Sequence, residues 1–256
     1  MQDSTPMDIR LMNATAAVLF AAAALAFVWL AVTWVTRWPV FAIRAVKIDG
    51  DVARNSVSTI RANAIPKLSG NFFSIDLHDA QRAFQSVPWV RRAVVQRVWP
   101  NRLAVQLEEH RAVAYWGEDR LVNDHGEVFE ANLGDVEEEG LPTLEGPADS
   151  AAQVLQMYRS LLPLVQRLGA GVRELRLSER GSWRLELDNE ATVELGRGDA
   201  AEVLARMERF VATWPQVRAR YPGPLQYADL RHHNGYAVRI RGVTTTLTTP
   251  AQQKRN

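Results

Sequence analysis

Cysteine is absent from this 256-residue chain. Disulfides, thiolate zinc sites, iron–sulfur clusters and thiol catalysis are therefore excluded together. An excess of either charge is missing too: 30 Lys and Arg face 29 Asp and Glu, a formal net charge of +1. A dedicated nucleic-acid binder carries a basic excess, so that class is disfavoured. Enzyme signatures are equally scarce. There is no Gly-x-Ser-x-Gly elbow and no His-Glu-x-x-His. Gly196-Arg197-Gly198-Asp199 lacks the lysine and longer glycine loop of a P-loop and reads as a strand-to-helix turn capped by Asp199. His78, His110 and His125 are scattered. His232 and His233 are adjacent, and strand neighbours point to opposite faces, so they do not suit one metal. Asp124-His125 has no nucleophile at a recognisable spacing, and Asp76 with Glu108 has no cleft to serve. The expectation is a non-enzymatic chain without cofactor, metal, nucleic acid or small-molecule substrate.

What is present is an ordinary globular composition, 47% apolar and 23% charged, with one large asymmetry. Asn13 to Thr36 contains no charged residue, and Arg10 and Arg37 bracket it. About 20 apolar residues cross the hydrocarbon core, so Ala14 to Val35 is long enough to span a membrane. Trp29, Trp34 and Trp38 crowd its end, where indoles favour the headgroup layer. A cleaved signal peptide would have a shorter apolar run and a more basic start. The reading is an uncleaved anchor at 14–38 behind a short tail at 1–13. Charge alone leaves its orientation open, because long domains translocate largely regardless of their flanks.

Residues 39–109 read as a β-α-α-β-β unit. Ala42 to Ile48 alternates apolar and basic residues before the Asp49-Gly50-Asp51 turn signal. Asn55 or Ser56 can cap a helix carrying Val57 and Ile60, closed by Pro66. Asp76 starts a second helix with Leu77, Ala80 and Phe84 on one face. Val90–Trp99 and Arg102–Glu108 form two strands around Pro100-Asn101. Residues 110–243 are mostly β with two helices. Short strands are expected at Tyr115-Trp116, 120–123 and 127–129, and Leu141 to Gly146 reads as a connection. An amphipathic helix spans Asp149 to Leu168, kinked or shortened by Pro163. Strands follow at 172–178, 182–187 and 191–195. A helix from Asp199 leaves at Pro215 and Pro222. A hairpin then joins 226–232 to 236–242 around His233-Asn234-Gly235, where Asn-Gly is a hairpin signal. The Thr-rich tail 244–256 reads as disordered.

An ordered set of short stretches carries a resemblance. These are Val87-Pro88-Trp89-Val90 leading to Trp99-Pro100-Asn101, Leu103 to Glu108, and Leu121-Val122-Asn123-Asp124-His125-Gly126. Then come Leu141-Pro142-Thr143-Leu144 with Gly146-Pro147, Leu195-Gly196-Arg197-Gly198, and Tyr227-Ala228-Asp229-Leu230-Arg231. Across roughly residues 10–242 this order resembles the bacterial cell-division family FtsQ/DivIB. The resemblance implies an α+β protein with an N-terminal transmembrane helix, a β-α-α-β-β POTRA domain, and an antiparallel β-sheet domain with flanking helices. It implies a cytoplasmic N-terminus, periplasmic domains in the inner membrane, and enrichment at the division septum. It further implies a non-enzymatic connector of the division complex that binds FtsB and FtsL and follows FtsK.

By that resemblance, FtsB adds a strand beside Arg231, His232, Asn234, Gly235, Tyr236, Ala237, Val238, Arg239 and Ile240. Arg180, on a neighbouring turn, matches a residue that pairs with a partner carboxylate. Two positions depart from the family pattern: His232 stands for an aromatic and Ile240 for a tryptophan. Arg92, Val95 and Arg97 match a recruitment surface of the POTRA domain; the plain alternative is a core strand residue flanked by solvated arginines. Arg91, Arg92 and Arg97 could also touch anionic lipid. Rival functions are a membrane-anchored POTRA protein of outer-membrane assembly or secretion, and a membrane-tethered periplasmic enzyme. Neither tandem POTRA repeats nor a catalytic set is visible in the sequence.

Overall fold

The structure is a computed structural model that describes residues 7–36, 38–50, 52–54 and 56–243. The tail expected to be disordered at 244–256 lies outside those residues, as does the start of the N-terminal tail. The chain divides into two compact units, meeting in sequence between Glu109 and His110.

In the first unit, α1 runs Met7–Thr36 and carries no charged residue from Leu11 onward. It begins earlier than the expected span, because nothing between Met7 and Asn13 breaks a helix. Its stretch Leu11–Thr36 is long and apolar enough to cross a membrane, and none of it is buried by the rest of the protein. β1 follows at Ala45–Gly50, a few residues later than the alternation suggested. Gly50 extends it because a side chain there would meet Leu107 O at 2.0 Å, at a φ of +123°.

Ser56, not Asn55, caps α2 (Val57–Ala64), its hydroxyl accepting from Thr59 N. Asp76 caps α3 (Leu77–Gln85), accepting from the backbone of His78 and Asp79. Those two bonds hold the Asp76 carboxyl below its ordinary pKa. β2 (Val90–Val98) and β3 (Arg102–Glu109) form the expected antiparallel pair, and β1 lies parallel to β3, giving the order β1-β3-β2. Ile60, Phe84, Leu103 and Val105 are fully or almost fully buried between helices and sheet. This is the helical cover that period-2 strands require.

The second unit contains β4 (Ala112–Trp116), β5 (Arg120–Asn123), β6 (Val128–Phe129), β7 (Thr143–Glu145), α4 (Ala151–Arg167), β8 (Val172–Leu177), β9 (Ser182–Leu187), β10 (Thr192–Arg197), α5 (Ala200–Arg220), β11 (Leu225–Asp229) and β12 (Ala237–Ile240). Nine strands make one sheet in the order β12-β11-β10-β9-β8-β7-β4-β5-β6. The α+β class holds, and the sheet is mixed rather than purely antiparallel: β4–β7, β7–β8 and β10–β11 are parallel pairs. The helices α4 and α5 provide the returns that two of these parallel pairs need.

Three local expectations change. The Leu141–Gly146 connection contains β7, which sits mid-sheet with Leu144 fully buried. Flanking Pro142, Gly146 and Pro147 hide so short a strand from periodicity. α4 runs on through Pro163, and α5 through Pro215 to Arg220. An interior proline costs about 3 kcal/mol, while burying one large apolar side chain returns about 1.5–3 kcal/mol. α4 buries Val154, Leu155, Met157, Leu161 and Val165, and α5 buries Val203, Met207, Phe210, Val211 and Trp214. Burial therefore outweighs the break in both.

Candidate partner-binding edge

β12 ends the nine-stranded sheet and pairs with β11, with Tyr227 opposite Arg239, Ala228 opposite Val238 and Asp229 opposite Ala237. Among the described residues, no strand lies on its other edge. An edge strand presents N–H and C=O groups that can template another chain. The expected hairpin is present, with a longer loop and shorter strands than expected. A seven-residue loop, 230–236, joins the strands, because β11 ends at Asp229 and Leu230 and Tyr236 turn inward to pack on the core.

The strand alternates cleanly. Ala237 and Arg239 are exposed, Val238 is half-buried, and Ile240 is buried in the domain's own core. Ile240 therefore cannot offer its side chain to a partner, whatever its backbone does. Tyr236 is also held from within: its ring meets Phe210 edge-on at 5.1 Å, and its hydroxyl lies 2.6 Å from the Thr213 hydroxyl. Arg209 donates to His233 O at 3.2 Å, tying the loop to α5. His232, Asn234 and Gly235 are exposed on that loop.

At the start of the loop Arg231 grips Asp229. Nε donates to Oδ1 at 2.8 Å, Nη2 to Oδ2 at 2.5 Å, and the Arg231 backbone N–H to Oδ1 at 3.0 Å. The Arg231 guanidinium holds the Asp229 carboxyl at a pKa of about 2, and Asp229 raises that of Arg231 in return.

Beside this pair lies an open basin of about 730 Å³ lined by Arg180, Arg197, Arg206, Arg209, Arg231, His232 and His233, with Glu202 as its acid. Arg206 donates to the carbonyls of Leu195 and Arg197. Gly196 makes room: a side chain there would approach Arg231 Cγ to 2.8 Å, and its φ of +80° suits glycine. Asn234, Gly235 and Tyr236 line a second hollow of about 270 Å³ with Arg206, Arg209 and Thr213.

The fold thus gathers Arg180, Arg231 and His232 into one basic concavity at the head of β12, with Asn234 to Tyr236 alongside. Sequence reasoning missed Arg197, Arg206 and Arg209. The signal was the spacing of Arg206 and Arg209, three apart on α5, which places them on one face. The recruitment residues lie in the other unit, on β2, itself an edge strand. Arg92 and Arg97 are exposed, Val95 is buried, and Arg97 donates to Ile75 O at 2.6 Å. Among the described residues, no group of three or more His, Asp or Glu is placed to hold a metal.

Comparison with known proteins agrees with this architecture. Residues 41–110 match the FtsQ-type POTRA domain, and residues 114–231 match the C-terminal domain of cell division protein FtsQ/DivIB. β12 lies just beyond the second match. The chain is 44% identical to cell division protein FtsQ of Thiomonas arsenitoxydans, over 93% of this chain and 89% of that protein. It is 42% identical to FtsQ of Burkholderia pseudomallei, over 92% and 94%, and 37% identical to FtsQ of Bordetella pertussis, over 91% and 92%. With both domain matches in order behind one membrane-length helix, the chain belongs to the FtsQ/DivIB family of bacterial cell-division proteins.

Proposed function

We propose that this protein is a non-enzymatic connector of the division complex that captures FtsB, and with it FtsL, by strand addition at β12. The observation that carries the reading is the position of β12: the last strand of a large sheet, paired on one side only among the described residues. Backbone pairing would give affinity, and the adjoining hollows selectivity. The basic basin would receive carboxylates flanking the added strand, with Arg180 and Arg231 as their partners. Ala237 and Arg239 meet partner side chains on the exposed face. Tyr236, Val238 and Ile240 act by holding the strand in place. Asn234, Gly235 and His232 shape the entry to it.

In this reading α1 is a single pass of the inner membrane, with the N-terminus cytoplasmic and both units periplasmic. The protein collects at the septum, and the exposed side of β2 around Arg92 and Arg97 contacts FtsK and other division proteins.

The decisive variants are Arg180→Glu and Arg239→Glu, because both side chains are exposed and neither contributes to the core. The intact double variant, extracted from membranes, should lose most of its co-purifying FtsB and FtsL while unfolding at the native temperature. Undiminished recovery of both partners would reject capture at this edge. Truncation from Gly235 is a poorer test, since it removes Tyr236 and Ile240 from the core.

A further inference from the structure

The tip of the first unit leaves aromatic and aliphatic side chains about half or more open to solvent. Trp99 is 73% exposed, Val40 52% and Phe73 47%. They come from three separate segments: the exit of α1, the loop before α3 and the β2–β3 turn. Hydrogen bonds gather these segments around the end of α1. Asn71 Nδ2 donates to Thr36 O at 2.7 Å, Phe72 N to Phe41 O at 2.9 Å, and Asn101 Nδ2 to Val40 O at 3.3 Å. Phe73 also meets Phe41 edge-on at 4.8 Å.

We propose that this tip is a lipid-docking surface, in which Phe73 and Trp99 enter the headgroup layer of the membrane that α1 crosses, so that the first unit stands on the bilayer at fixed contacts rather than on a free stalk.

Distance supports that occupant. Leu11–Thr36 spans about 39 Å at 1.5 Å per residue, against a hydrocarbon core of about 30 Å and an interfacial layer of some 5–7 Å on each side. Thr36 therefore lies in or at the edge of the interfacial layer, and a loop bonded directly to its carbonyl lies there too. Chemistry supports it as well. Indole and phenyl rings favour that depth. The segments 38–44, 70–75 and 97–102 contain Arg44, Arg97 and Arg102 and no acidic residue, which suits anionic headgroups. The remaining occupant would be a protein partner, which pure lipid cannot replace.

The absence of cysteine makes the test clean. Full-length single-cysteine variants Trp99→Cys and Phe73→Cys would carry an environment-sensitive fluorophore in vesicles of phosphatidylethanolamine and phosphatidylglycerol. Ala53→Cys is the control, because its backbone bonds Glu109, at the end of β3 opposite the Trp99 turn. Nitroxide placed on the acyl chain just below the glycerol should quench the probes at 99 and 73 at least about threefold more than the probe at 53. Adding Trp99→Ser to the Phe73→Cys protein should return its quenching most of the way to the control. Trp99 is largely exposed, so that change leaves the core intact, which an unchanged thermal transition would verify.

Quenching at 99 and 73 no stronger than at 53 would overturn the proposal. So would a headgroup nitroxide that quenches the probes at 99 and 73 no more than the probe at 53, which would place neither side chain in the headgroup layer. No partner protein is present in these vesicles, so failure here is independent of capture at β12.

Discussion

Two edge strands, β2 in the first unit and β12 in the second, offer the same backbone chemistry in different surroundings. β2 is long, and its buried residues Val90, Ala93 and Val95 are set in a small core. Arginines project from it: Arg91 pairs with Glu108 and Arg97 bonds Ile75 O. Charged side chains of this kind are how natural sheets discourage indiscriminate pairing. β12 is only four residues long. It depends on Tyr236, Val238 and Ile240 packing inward, and concave basic surface adjoins its start. A free edge alone does not make a docking site. The side chains around it matter as well, and hollows adjoin the loop that leads into β12.

That contrast can be broken or sharpened by substitution. The largest effect is expected from placing a charge on the inward face of either strand. Ile240→Glu should destabilise the second unit, and Val95→Glu the first, by roughly 3–5 kcal/mol, as an uncompensated buried charge does. Urea titration would measure both, and a shift of less than half that size would mean the strands are less committed to their cores than their burial implies. Tyr236→Ala should cost about 2 kcal/mol, since a half-buried ring and its hydroxyl contact are lost together. Tyr236→Phe should cost only the hydroxyl share, about 1 kcal/mol. On the first unit, Asp76→Ala should remove a helix cap worth about 1 kcal/mol, with no effect on β12. Arg239→Glu belongs at the small end, within about 0.5 kcal/mol, as an exposed substitution; a large loss of stability would show that the outer face of β12 is structural.

Acid gives a separate handle on the β12 side. The folded pKa of Asp229, about 2, lies below its ordinary value of 3.8. A depressed carboxylate contributes stability that is complete above its unfolded pKa and is lost as pH falls toward the folded one. The Asp229–Arg231 contribution should therefore be intact at neutral pH and fade between about pH 5 and 2. Asp229→Asn should flatten that part of the stability profile of the second unit, followed by its unfolding midpoint across this range. An unchanged profile would place the acid sensitivity elsewhere.

Much of this protein is legible in its sequence. The Asp76 and Asp199 caps, the β2–β3 pair and the strand at 182–187 all rest on local chemistry. So does the membrane-length helix, which needs only an unbroken apolar run. Errors came where a long-range contact overrode a local signal. Pro163 and Pro215 are breakers in isolation but sit in helices whose burial exceeds their cost. Thr143–Glu145 is too short to show a period and becomes a strand because β4 and β8 flank it. The hairpin around His233-Asn234-Gly235 is there, but the packing of Leu230 and Tyr236 lengthens its loop.

The missing cysteines, the balanced charge and the apolar helix were properties of the sequence by itself, as were most strands and caps, because each depends on composition or on neighbours a few residues away. Which strand ends the sheet was decided only in three dimensions. So was the meeting of Arg180 with Arg231 and His232, and the inward turn of Ile240. The same holds for the gathering of Phe73 and Trp99 at the exit of α1. These depend on residues tens of positions apart, whose contact is set by the packing of whole elements and by no local preference of the chain.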